Sequence, residues 1–148
     1  MAGMTNRGKM IILSMAFRAQ DEPTNFYVHL LTSSASLSDD TNTFSDVSSA
    51  ESTGGSYGEL TKARGTGFLI SEDDSSNFGQ ITVPDCAWTA SGSAIANARY
   101  AIITDDAGGS GGHASNNVLC YWDLGSTQSV SDGATLTLTG FKIKITES

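Results

Sequence analysis

The last third of the chain alternates between apolar and polar residues with a period of two. Leu136 and Leu138 alternate with threonines, and further along Phe141, Ile143 and Ile145 alternate with lysines and a threonine. Successive side chains of a strand point to opposite faces of a sheet, so this pattern predicts two half-buried strands. The high content of Gly, Ser and Thr also makes a helical bundle or a coiled coil a poor candidate.

Further apolar segments, separated by turn-rich clusters, predict more strands of similar length. They are Asn25–Thr32, Gly67–Ile70, Gly79–Val83, Cys86–Ala90, Arg99–Thr104 and Val118–Asp123. Gly, Ser and Thr together exceed a third of the residues, which is typical of turns and exposed strand faces. At 148 residues, the length suits one domain. We therefore predict a single mainly β domain over residues 1–148, an antiparallel β-sandwich or jelly roll.

One segment has helical rather than strand periodicity. Its apolar residues recur at spacings of three and four, and they are Met10, Leu13 and Phe17. This spacing predicts one short N-terminal helix over residues 5–19. Thr5 or Asn6 can cap its first turn, and the helix should end before Pro23, because the residue before a proline avoids the helical region.

The charge balance narrows the partners that such a chain can bind. Eight Lys and Arg against sixteen Asp and Glu give a net charge of -8, which disfavours a nucleic-acid partner. No apolar run is long enough to cross a bilayer and no signal-peptide cleavage site is convincing, so we expect no membrane partner. Within this acidic chain the predicted helix is basic, and Arg7, Lys9 and Arg18 are candidate residues for contact with an acidic partner.

Residues 33–58 form a second candidate contact region. Ser, Thr, Asp and Gly dominate this stretch, and few side chains can anchor it, among them Phe44 and Tyr57. A long loop in a small domain is commonly functional or held by a partner. We therefore predict a long surface excursion with Phe44 and Tyr57 as partner-binding residues. The glycine-rich stretch 108–112 predicts a flexible loop between two strands.

No pattern in the sequence assembles a catalytic or metal site. A hydrolytic triad needs a base, and the only histidines are His29 on a predicted strand and His113 beside the glycine loop. Adjacent aspartates lie in predicted turns, and Asp39–Asn42 lacks the ligand spacing of a calcium loop, which leaves at most a weak cation site there. We expect no enzyme activity, no cofactor and no metal.

The cysteines and tryptophans lie in apolar strand segments. Cys86 and Cys120 could form at most one bridge, and we expect them to be reduced and buried. Trp88 and Trp122, with Tyr121, could form a sugar-stacking platform, but their apolar neighbours favour core positions. A carbohydrate-binding module therefore remains a remote alternative.

Five segments are spread along nearly the whole chain: Thr5-Asn6-Arg7-Gly8-Lys9, Pro23-Thr24-Asn25-Phe26-Tyr27-Val28, Trp88-Thr89-Ala90-Ser91-Gly92, Ala98-Arg99-Tyr100-Ala101 and Tyr121-Trp122-Asp123-Leu124-Gly125. In their residues and their order these segments resemble small structural proteins encoded by tailed bacteriophages. The resemblance implies a virion protein that is assembled in the host cytoplasm. It transfers no active residue.

Two positions in a virion are compatible with this resemblance. In the first, the chain is a capsid decoration or cement protein that binds the major capsid protein on the outer shell, bridges capsomers and forms a homotrimer. In the second, it is a tail or tail-fibre component that contacts another tail protein or a host-surface glycan. Small size, one domain and the absence of shaft repeats or heptads favour decoration.

Overall fold

The computed structural model of the protein describes residues 2–18, 22–108 and 113–146. Its elements are one α-helix and ten strands. They are β1 (Ala2–Met4), α1 (Asn6–Arg18), β2 (Asn25–Thr32), β3 (Leu60–Ala63), β4 (Leu69–Asp73), β5 (Phe78–Thr82), β6 (Cys86–Thr89), β7 (Ile95–Thr104), β8 (Val118–Val130), β9 (Thr135–Leu138) and β10 (Lys142–Thr146). The predicted class, mainly antiparallel β with one N-terminal helix, is confirmed. Residue 19 of the predicted helix and residues 109–112 of the glycine loop lie outside the described residues.

The largest sheet has five antiparallel strands in the order β1-β8-β7-β2-β3. β2 lies inside this sheet and is apolar on both faces, since Val28 and Leu30 point to one side and His29 and Leu31 to the other. All four side chains are buried. The sheet therefore needs a covering layer on each face.

The first face is covered by two smaller sheets, β10-β5-β4 and β6-β9, so the fold is a β-sandwich. Trp88 and Trp122 are each 4% exposed in the core between the layers, as expected for core residues. The Trp88 indole donates to the Gly58 carbonyl at 2.9 Å, and the Trp122 indole donates to the Lys142 carbonyl at 3.0 Å. With both indoles enclosed and hydrogen-bonded, the two tryptophans present no ring face for stacking on a sugar.

The second face is covered by residues 33–58. This segment contains two short 3-10 helices, Phe44–Asp46 and Ser48–Ala50, and buries Phe44 and Val47 against the sheet. The Ser52 N–H also donates to the Leu30 carbonyl at 2.9 Å. The segment is thus a packed layer of the domain rather than a loose excursion.

Strand lengths differ from the sequence prediction at several places. β7 and β8 pair beyond the predicted segments, from Ile95 opposite Val130 to Thr104 opposite Val118, through several register shifts. β1 and β3 were not predicted, because three or four residues carry too little periodicity. No helix in the described part of the chain has the length and apolar character needed to cross a membrane.

Candidate interaction surface

The orientation of α1 is determined by its close approach to β8. Gly8 is buried, and an ideal Cβ on it would lie 2.3 Å from the Leu119 carbonyl oxygen. Only a residue without a side chain fits between the helix and the strand. Because residues three and four positions apart share a helix face, Ile11 and Ile12 also turn toward the core.

The start of α1 is held by a cap and by neighbouring loops. The Thr5 hydroxyl accepts a hydrogen bond from the Gly8 N–H at 2.9 Å and donates to the Val118 carbonyl. This confirms Thr5 as the N-cap. The Asn6 N–H donates to the Asp39 carbonyl at 2.7 Å, which ties the first turn to the layer formed by residues 33–58.

The opposite side of α1 carries the apolar stripe that predicted the helix. Met10 is 41% exposed, Leu13 57% and Phe17 81%. Lys9 and Arg18 are also exposed beside this stripe, and α1 contains no acidic residue. We call Lys9, Met10, Leu13, Phe17 and Arg18 the α1 outer face. It combines unpartnered apolar surface with positive charge on an otherwise acidic protein.

The three predicted cationic contact residues have different environments. The Arg7 Nε donates to the Asn117 side-chain oxygen at 2.7 Å. Asn117 in turn donates from its side chain and its backbone to the buried carboxylate of Asp105, at 2.6 and 2.7 Å. Arg7 is therefore engaged in holding α1 against the loop before β8. Among the described residues, Lys9 and Arg18 have no ion-pair partner.

Phe44 and Tyr57, the predicted contact residues of the 33–58 segment, are used inside the fold. Phe44 is 6% exposed and stacks on the ring of His29, with centroids 4.2 Å apart. The Tyr57 hydroxyl accepts the Leu30 N–H at 2.8 Å and donates to Glu51 at 3.1 Å. Burial raises the pKa of this hydroxyl well above its ordinary value. Both side chains contribute to packing of the layer, Phe44 as a buried residue and Tyr57 as a half-buried one, and neither lies on the α1 outer face.

The two histidines lie near each other beneath the same layer. The ring centroids of His29 and His113 are 5.8 Å apart. His29 is fully buried and contacts Glu51 through Nδ1 at 2.9 Å, whereas His113 contacts Glu59 through Nε2 at 3.0 Å. The His29 ring is buried, whereas the His113 side chain is 29% exposed. No group of three or more His, Cys, Asp or Glu side chains in the described ranges is placed to hold a metal ion.

The three-stranded sheet carries a second exposed surface beyond the edge of the core. In the register of this sheet, Ile145 lies opposite Gly79, and Gly79 lies opposite Glu72. Directly opposed residues share a face, and an added Cβ at Gly79 would meet nothing within 4 Å. The result is an open hollow of about 420 Å³ that is also lined by the β4–β5 turn, including Asp74. We call Glu72, Asp74, Gly79 and Ile145 the acidic hollow.

An apolar groove of about 350 Å³ separates α1 from the three-stranded sheet. Ile12 and Met15 of the helix line one side, and Ile70 of the sheet lines the other. Ile70 is 80% exposed, and it lies in the row next to the acidic hollow, opposite Ile81. The groove therefore adds apolar surface between the α1 outer face and the acidic hollow.

The acidic hollow and the exposure of the α1 stripe were not predicted from the sequence. Gly8 was the available signal for the helix, because a glycine inside a helical pattern can mark a close backbone approach and so the inward face. Alternation was the signal for Ile145, but alternation alone shows which residues share a face and not where the covering layer ends.

No protein-family model, curated protein or solved structure matches this chain.

Proposed function

We propose that the protein is a virion structural protein of the tailed-phage type, specifically a capsid decoration protein that binds the outer shell and bridges capsomers. The observation that carries the proposal is the α1 outer face, where exposed apolar and cationic side chains lie on one side of a helix that is rigidly seated by Gly8 and Thr5. A surface of this kind is suited to joining protein surfaces rather than to chemistry on a small substrate.

The α1 outer face leaves large apolar side chains exposed to water. Full burial of a side chain such as Leu13 or Phe17 is worth about 1.5–3 kcal/mol, so a partner that covers both gains a substantial contact. Exposed apolar residues that lie together on an otherwise polar surface commonly mark a protein interaction site. Lys9 and Arg18 at the rim favour an acidic partner and increase the rate of association with it.

Decoration of the shell also explains why one small domain suffices. A particle presents many equivalent sites, and an oligomer that contacts several of them gains from a high effective concentration after its first contact. The resemblance to small phage structural proteins supports a virion role, and the described strands form a sandwich rather than a repeated shaft.

The charge of the α1 outer face provides a direct test on purified particles. Lys9→Glu combined with Arg18→Glu should lower occupancy, and the remaining binding should respond less to salt. Lys62→Glu combined with Lys142→Glu makes the same change in net charge elsewhere and should leave occupancy unchanged. If the α1 pair is retained as well as wild type at every salt concentration, α1 is not the contact.

Position and copy number on the particle test the placement. A decoration protein should approach the abundance of the major capsid protein on a gel, and gold-labelled protein should outline the head in electron micrographs. Labelling confined to the tail, at about a tenth of that abundance or less, would overturn decoration in favour of a tail or fibre component.

A further inference from the structure

We propose that the α1 outer face of one copy binds the acidic hollow of a second copy, with the Phe17 ring seated over Gly79. The inference rests on the proposed function in one respect, because both concern the α1 outer face. A copy whose α1 outer face is docked on a second copy does not bind the shell through that face at the same time, so self-association competes with shell binding.

The charges of the two surfaces are complementary. The α1 outer face carries Lys9 and Arg18 and no acidic residue, whereas the acidic hollow carries Glu72 and Asp74. The two lysines of β10 alternate with its isoleucines and so lie on the other face of the three-stranded sheet. Two copies of a chain with net charge -8 repel each other in most orientations. The orientation that places α1 against the β4–β5 hairpin reverses this repulsion locally, so charge selects that orientation.

The exposed apolar surface is confined to the same two places. In the described ranges, all the exposed large apolar side chains lie on α1 or on the three-stranded sheet, and they are Met10, Leu13, Phe17, Leu69, Ile70 and Ile145. Docking of one surface on the other covers apolar side chains from both copies. Each square ångström of apolar area removed from water contributes about 25 cal/mol.

The shapes also match. Among the described residues, Phe17 is the most exposed large apolar side chain at 81%, and it lies in the last turn of α1. The acidic hollow is open above Gly79, with Ile145 as its apolar wall and Glu72 as its charged wall. A benzyl side chain over Gly79 packs on Ile145, and the adjacent Arg18 then lies within reach of Glu72.

Such a contact joins two different surfaces and is therefore heterologous. Repetition of a heterologous contact closes into a ring when the rotation between copies allows it, and otherwise extends into a filament. A homotrimer closed by this contact would be a ring in which all three α1 outer faces are occupied.

Sedimentation velocity of the purified chain tests the contact. Wild type should sediment above the 15.4 kDa monomer as its concentration rises. Phe17→Ser removes the aromatic ring that forms the knob of this contact. Gly79→Val fills the acidic hollow with a side chain that is favourable in a strand. Each variant should keep the wild-type circular dichroism spectrum and remain a monomer. Thr61→Val, an exposed strand position on β3, is the matched control and should assemble like wild type.

Mixing the two variants makes the test specific for a heterologous contact. Phe17→Ser retains an intact hollow and Gly79→Val retains an intact knob, so an equimolar mixture should form dimers and nothing larger. Wild type that stays monomeric up to its solubility limit would overturn the proposal. Assembly of folded Gly79→Val to the wild-type extent would also overturn it.

Particle binding separates this inference from the proposed function. If wild type is monomeric in solution, yet Lys9→Glu with Arg18→Glu releases it from particles, self-docking is wrong and the virion role stands. If the mixture forms dimers but wild type never associates with particles, self-docking stands and the virion role is wrong.

Discussion

Gly8 of α1 lies directly against the backbone of Leu119 in β8, so closely that an ideal Cβ would be 2.3 Å from the Leu119 carbonyl oxygen. This contact determines which side of the helix faces the core. It therefore also determines that Leu13 and Phe17 face the solvent. Because Gly8 has no side chain, its side of the helix can pack closely on β8. The opposite side, the α1 outer face, is therefore the exposed one.

Gly8→Ala should destabilise the protein although alanine favours helix. Overpacking costs about 1–3 kcal/mol, and the gain in helix propensity offsets at most about 1 kcal/mol of it. We expect a net loss of about 1–2 kcal/mol in the free energy of unfolding, measured by urea denaturation. Gly79→Ala, where nothing lies within 4 Å of the new Cβ, should change stability by less than about 0.5 kcal/mol. Equal stability of Gly8→Ala and wild type would mean that α1 does not sit on β8 in this way.

The thiols of Cys86 and Cys120 should be unreactive in the folded protein. Both are free and buried, and burial raises the pKa of Cys120 to about 12 and also raises that of Cys86. Because the thiolate is the reactive form, a disulfide reagent at about pH 8 should label neither residue. Both should react once the protein is unfolded in guanidinium. Rapid labelling of the native chain would show that one of these strands opens.

Tyr57→Phe should cost about 1–3 kcal/mol of stability, because the buried Leu30 N–H then loses its acceptor. Tyr27→Phe is the matched control, since the Tyr27 hydroxyl has no hydrogen bond among the described residues, and its stability should stay near wild type. Thermal or urea unfolding of the two variants measures the difference. If Tyr57→Phe unfolds like Tyr27→Phe, the hydroxyl does not hold the layer to β2.

The raised pKa of Tyr57 predicts that the folded protein loses stability in alkaline solution. The folded state holds the phenol proton more tightly than the unfolded state, so the stabilisation is complete below the unfolded pKa of about 10 and is lost as pH rises above it. Wild type should therefore lose more stability between about pH 9 and pH 11 than Tyr57→Phe does. Parallel losses in the two proteins would contradict a buried, protonated phenol.

Asp46→Ala should weaken the layer in neutral solution but not in acid. The Asp46 carboxylate accepts the N–H groups of Thr43 and Asn42 at 2.9 and 3.0 Å, and these bonds lower its pKa. Its contribution is present above the unfolded pKa of about 3.9 and is lost as pH falls through the lower folded value. Since the carboxylate is exposed, we expect a loss of no more than about 1 kcal/mol at pH 7.

Unfolding curves at neutral and strongly acid pH measure this difference. The gap between wild type and Asp46→Ala should close below about pH 3. Asp85→Ala, whose carboxylate makes no hydrogen bond in the described part of the chain, should show no gap at either pH. A gap for Asp46→Ala that persists in acid would mean that packing rather than charge is lost.

The strands with regular alternation of apolar and polar residues could be predicted from the sequence, because successive side chains of a strand point to opposite faces of the sheet. Ile143 and its neighbours on β10 show this, as do the two apolar faces of β2. The helix was also predictable, but not which of its faces is buried. α1 has apolar residues on both sides, and the choice between them depends on the approach of Gly8 to a strand more than a hundred residues away.

The role of residues 33–58 was harder to predict because its anchors are few and far apart. The sequence suggests Phe44 as a contact residue for a partner, whereas in the structure its ring stacks on His29 of β2. Tyr57 acts through a single hydroxyl that satisfies a backbone group of the same strand. Contacts of this kind join positions that share no local pattern, so composition indicated a loop where the fold has a layer.

The segment 33–58 covers the apolar side chains of Leu31, Ile102 and Val118. In their place it exposes serine, threonine and aspartate to the solvent. If the protein decorates a capsid as proposed, its many copies give each particle a dense negative charge. Such particles should stay dispersed in dilute buffer and begin to aggregate as added salt shortens the range of that repulsion.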